Sequence, residues 1–121
     1  MDRNIERNQW AIFLKEFNKK NQSRPTRLEV FDQMGVQTEE HELPLMGVDL
    51  EMRGEGAPRI EIMLGGQGAD ERHLTHTITC AQRVNVKISE MGGDEVLEIE
   101  GEGNVKIVLR FESVPELGAT S

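Results

Sequence analysis

Trp10-Ala11-Ile12-Phe13-Leu14-Lys15-Glu16-Phe17 is the stretch that decides the fold. Trp10, Phe13, Leu14 and Phe17 fall at i, i+3, i+4 and i+7, the spacing that places side chains on one face of an α-helix. The pattern predicts one amphipathic helix from Asn4 to about Lys19, with Arg7, Gln9, Lys15, Glu16 and Lys19 on the opposite face. Asp2 or Asn4 would cap its start, and Lys19 and Lys20 suit the negative pole at its end. The stripe carries three of the five aromatic residues of the chain, so it cannot stay in water. Asn18 through Pro25 holds no apolar residue, and Pro25 disfavours helical geometry at Arg24, so the helix should end there.

From Thr26 onward the apolar period drops to 2, the signature of strands with one buried face. Leu28 and Val30 alternate with Glu29. Val48, Leu50 and Met52 alternate with Asp49, Glu51 and Arg53, and Ile60, Ile62 and Leu64 follow. Leu97 with Ile99, then Val105, Ile107, Leu109 and Phe111, complete the set. Gly54-Glu55-Gly56, Gly65 to Asp70, Met91-Gly92-Gly93-Asp94 and Gly101-Glu102-Gly103-Asn104 are turn chemistry between them. Links this short imply antiparallel hairpins, because a parallel crossover needs a dozen residues or more. Between His73 and Glu90 no Gly or Pro intervenes, and Leu74, His76, Ile78, Cys80, Val84, Val86 and Ile88 share one parity. This reads as one long strand bent near Ala81-Gln82-Arg83, the rival being two strands joined by a tight turn.

A helix with one apolar stripe and a sheet with one apolar face give an α+β fold. The helix packs on an antiparallel sheet of about six to seven strands, or plugs one end of a partly closed barrel. Residues 1–113 are expected to form one domain and 114–121 a flexible C-terminal tail.

The chain has 121 residues and a net charge of −8. An acidic chain without a concentrated basic face is a poor ligand for nucleic acid or for an anionic membrane, and 4% aromatic residues leave little for base stacking. No apolar run reaches the ~20 residues of a membrane-spanning helix, and Met1-Asp2-Arg3-Asn4 does not begin a secretory signal. One cysteine, Cys80, fits a reducing, cytoplasmic setting.

Trp10 with Phe13, Leu14 and Phe17, then Asn21-x-x-Arg24-Pro25-x-Arg27-Leu28-Glu29, Leu43-Pro44-Leu45-x-Gly47, His76-x-Ile78 and Leu109-Arg110-Phe111 set out an order of features. In that order the chain resembles a family of short, uncharacterised bacterial proteins grouped as a domain of unknown function. The resemblance implies a bacterial origin and a free-standing small domain, and it transfers no activity to named positions.

His73 and His76 form H-x-x-H, but on a strand residues three apart point to opposite faces, so they share a metal only across a bulge. His76 has the parity of Ile78 and Cys80, which invites a soft metal site or an imidazole–thiolate pair. Even nearest same-face neighbours on a strand stand ~7 Å apart, too far for a direct hydrogen bond, and further metal ligands are missing. Leu64-Gly65-Gly66-Gln67-Gly68 lacks the helix and Lys-Ser/Thr pair of a phosphate loop and reads as a hairpin tip. Asp49, Glu51, Glu61, Glu98 and Glu100 read as a solvated face rather than a calcium site. Arg24 and Arg27 are the ligand-binding candidates: two guanidiniums near a helix–sheet junction could clamp an anionic group, unless Glu29 and Asp32 occupy them. No motif calls for a cofactor or a metal. The function expected is a non-catalytic binding or regulatory domain for a protein or small-molecule partner, with a small hydrolase or isomerase as the alternative.

Overall fold

The structure, a computed structural model, describes residues 1–66 and 72–112; of residues 38–42 only the backbone is described. Among the described residues eight antiparallel strands and one α-helix follow in the order β1 (Asp2–Ile5), α1 (Trp10–Asn21), β2 (Pro25–Asp32), β3 (Gly35–Glu51), β4 (Arg59–Gly65), β5 (His73–Ile78), β6 (Arg83–Ile88), β7 (Asp94–Glu100) and β8 (Lys106–Phe111). They form one sheet in the order β1-β6-β7-β8-β2-β3-β4-β5, with β1 and β5 as its two edges. The α+β architecture is therefore an open sheet carrying one helix, and the strand count exceeds the six to seven expected.

Two departures from the sequence reading account for the difference. Asp2–Ile5 is not the start of the helix but an edge strand paired with β6, from Asp2 opposite Lys87 to Ile5 opposite Val84. Ile5, 4% exposed, anchors it in the core, and a 3-10 turn at Arg7–Gln9 leads from it into α1. The helix also runs two residues past Lys19, to Asn21. Its polar last turn is not a linker, because Asn18 and Asn21 face the sheet and find partners there.

The second departure concerns 73–90, which is not one bent strand but, as in the rival reading, two strands joined by a short link; the two do not pair with each other. β5 stops at Ile78, Cys80 just beyond it takes a left-handed backbone, φ 49°, and β6 begins on the far side of the sheet. Six inter-strand spacings of about 4.8 Å separate β5 from β6, near 29 Å in a flat sheet, whereas the five steps from Ile78 to Arg83 span at most ~18 Å. The sheet has to curl back on itself. Three backbone hydrogen bonds fasten the corner: Cys80 N–H to the Gly56 carbonyl, Ala81 N–H to that of Pro58 and Gln82 N–H to that of Glu100.

The concave face holds the core. Trp10, Leu14 and Phe17 are buried, with Phe13 partly so, in one cluster with Leu28, Leu45, Ile60, Ile62, Ile78, Val84, Val86, Leu97, Ile107 and Leu109. The even-parity residues Ile78, Val84 and Val86 are thus core, as the alternation required, although they belong to two strands. Phe17 packs between Phe13 and Phe111, ring centroids 5.8 and 5.7 Å away. The Trp10 indole Nε1 donates to the Ile5 carbonyl at 2.9 Å, so the largest aromatic is buried without an orphaned donor. On the convex face three of the outward carboxylates, Glu29, Glu98 and Glu100, are paired with cations. Glu98 meets Lys106 at 3.0 Å and Lys87 at 3.8 Å, Glu100 meets Arg83 at 3.9 Å, and Glu29 accepts from Arg110 Nε at 2.7 Å.

Gly101, just past the end of β7, packs so closely against the corner that a larger residue would press on it. A Cβ there would lie 2.7 Å from Ile78 Cγ2 and 3.0 Å from the Thr79 carbonyl oxygen, contacts that force a shift in a packed core. Gly101→Ala should therefore lower stability by roughly 1–3 kcal/mol in urea unfolding, while Gly93→Ala, whose nearest contact would be Ser89 Oγ at 3.8 Å, should change it by no more than about 0.5 kcal/mol.

Candidate functional site

The last turn of α1 delivers three polar side chains to the sheet. Asn21, 2% exposed, donates through Nδ2 both to the Phe17 carbonyl at 3.0 Å and to Asp94 Oδ2 at 2.8 Å. Asp94, 5% exposed at the start of β7, also faces Lys20 Nζ at 3.4 Å. Burying a carboxylate is costly unless it is paired and hydrogen-bonded, and Lys20 and Asn21 supply both. Asn18 completes the set by pairing with the backbone of Val48 in β3.

Arg24 sits inside this cluster. Its Nη1 donates to Asn21 Oδ1 at 2.7 Å and to the Asp94 carbonyl at 3.0 Å, and its guanidinium lies 4.1 Å from the Phe111 ring centroid. Arg27 is exposed on the convex face, where its Nε stands 3.5 Å from Glu29. The structure brings Arg24 to the helix–sheet junction and keeps Arg27 away from it, so the two do not converge on one cleft. Arg24 ties the chain leaving α1 to β7 and to Asn21.

Beside this cluster a groove of about 210 Å³ opens between α1 and strands β1 and β6 at one side of the sheet. Ile12 and Phe13 of the helix and Val86 and Ile88 of β6 form its apolar walls, and Arg3, Gln9, Glu16, Lys20 and Asp94 its polar ones. Ile12 is 64% exposed although it belongs to the helix. Positions 9, 12, 13, 16 and 20 make a second stripe, next to the buried one, on the side where the short edge strand β1 leaves the helix uncovered.

The remaining sequence candidates are not assembled. β5 pairs with β4 from Ile78 to His73 without a register shift, so His73 and His76 stand on opposite faces. Cys80 lies past the end of β5, where partial burial and the neighbouring Glu102 carboxylate raise its thiol above the usual range. A thiol so placed stays protonated at neutral pH, the reverse of an activated nucleophile. Among the described residues no three His, Cys, Asp or Glu side chains gather as a metal site. The side chain of His41, residues 67–71 of the glycine-rich hairpin tip and the tail at 114–121 lie outside the described residues.

A family model covers residues 1–119. The chain belongs to DUF5335, a family of unknown function. No curated protein and no solved structure matches it. No helix is long and apolar enough to cross a membrane among the described residues.

Asn18, Asn21, Lys20 and Asp94 were not among the site residues expected from the sequence. Two asparagines three residues apart, Asn18 and Asn21, continuing the stripe of Leu14 and Phe17, were the available signal. Asp94→Ala should cost roughly 1–3 kcal/mol in chemical unfolding, because it leaves an Asn21 N–H buried without its acceptor. Lys20→Ala, which removes a largely exposed partner, should cost less than about 1 kcal/mol.

Proposed function

We propose that this DUF5335 chain is a non-catalytic binding domain whose ligand lies in the groove between α1 and the β1–β6 edge. The observation that carries the reading is the groove itself: a concave site with apolar walls of Ile12, Phe13, Val86 and Ile88, flanked by a few placed polar groups. That combination is the general make-up of small-molecule sites. Its volume, below the ~300–1,000 Å³ typical of drug-sized ligands, favours a small molecule over a protein segment. The rigid curled sheet and the polar last turn of α1 hold the walls, so the site is formed before a ligand arrives. Catalysis is disfavoured by what surrounds the chemically reactive groups, since Cys80 is held as a thiol and His73 and His76 do not converge.

The test is a fragment screen of the intact chain by backbone amide NMR. Ligands should shift the amides of Ile12, Phe13, Val86 and Ile88, and Ile12→Glu, a change at an exposed position, should abolish those shifts with the fold intact. Fragments that cluster elsewhere, or turnover of any substrate that His76→Ala removes while the fold persists, would overturn the reading.

A further inference from the structure

The charges around the groove are not equivalent. Asp94 is compensated by Lys20 at 3.4 Å and by Asn21, and Glu16 by Lys19 at 3.7 Å. Arg3, on the edge strand β1, makes no hydrogen bond, ion pair or ring contact with any other described residue through its side chain, although it lines the groove. Its register partner is Val86, and directly opposed residues of an antiparallel pair project from the same face. Arg3 therefore projects on the concave side, over the apolar wall that Val86 and Ile88 make with Ile12 and Phe13. In a chain of net charge −8 most cations on the sheet have acidic partners; the one beside the groove does not.

We infer that the groove binds a small apolar carboxylic acid, its carboxylate on the Arg3 guanidinium and its hydrocarbon body along Ile12, Phe13, Val86 and Ile88. The inference rests on the binding reading above and specifies its ligand class. A planar guanidinium offers a carboxylate two parallel donors, and the groove supplies no uncompensated anion to hold an amine in the same way. Burying a short alkyl body against the apolar surface that Ile12, Phe13 and Ile88 leave exposed, over the buried Val86, adds the non-directional part of the affinity. The mainly acidic surface repels anions elsewhere, so the acid is steered toward the few places where a cation stands unpaired.

Hexanoate and hexylamine, equal in chain length and opposite in charge, are the probes, titrated separately into the intact chain and followed by amide NMR. Hexanoate should shift Arg3, Ile12, Phe13, Val86 and Ile88 amides, and its affinity should fall about tenfold in Arg3→Ala and decline with added salt. Arg3 is exposed, so the variant should keep the wild-type spectrum elsewhere. Hexylamine binding in the groove as tightly as hexanoate, or hexanoate affinity unchanged in Arg3→Ala, would overturn the carboxylate assignment and leave a binding groove standing. Failure of both probes would also overturn it, and only failure of the fragment screen as well would remove the groove as a binding site.

Discussion

The Asn18 side chain donates through Nδ2 to the Val48 carbonyl at 3.0 Å and accepts through Oδ1 from the Val48 N–H at 2.8 Å. The pair of bonds is what a neighbouring strand would offer, delivered by a helix. It is needed because β3 changes partners along its length. Up to Pro44 its one edge is paired with β2, and Ser23 and Arg24 extend that pairing through the backbone of Leu45. Beyond Leu45 the other edge pairs with β4, and the edge that β2 has left would carry bare polar groups against the core. An unmet buried amide or carbonyl costs about as much as a hydrogen bond is worth, often more. Asn18 meets both at Val48, which is 1% exposed.

The rest of the architecture hangs on that junction. With β3 held to α1, one strand joins the β1-β6-β7-β8-β2 half of the sheet to the β4–β5 half, and the short Thr79–Gln82 link then draws the two ends together. The helix is trapped in the resulting concavity by its apolar stripe, while Asn21 and Arg24 fix its end against Asp94 of β7. The position of α1 over β6 follows from these anchors, and with it the width of the groove that Ile12 and Phe13 share with Val86 and Ile88. Stability and the proposed binding site therefore depend on the same few polar contacts.

The periodicities made much of this legible. The 3.6 stripe identified α1, the period-2 runs identified the cores of β2 through β8, and four glycine-bearing turns fell between strands that pair as hairpins. Where the reading failed, a tertiary contact had replaced a local signal. Nothing local marks Asp2–Ile5 as a strand, because its pairing is with residues some eighty positions away. Little local separates β5 from β6, since only Gln82 breaks the apolar parity across the corner and the left-handed residue there is a cysteine rather than a glycine. The site was the least legible part. Arg24 was marked for its charge, yet it serves a cluster built on two asparagines and a buried aspartate, and Arg3 takes its place at the groove, beside the paired Lys20, only through the pairing of β1 with β6.

Amide hydrogen exchange at Val48 in Asn18→Ala tests the central claim most directly. If the helix side chain closes the β3 edge, protection of the Val48 amide should fall by on the order of ten- to a hundredfold relative to amides in β7 and β8, with global stability reduced by roughly 1–3 kcal/mol. Val48 protection and unfolding stability both unchanged from the unsubstituted chain would show that the edge is satisfied without Asn18 and would contradict this account.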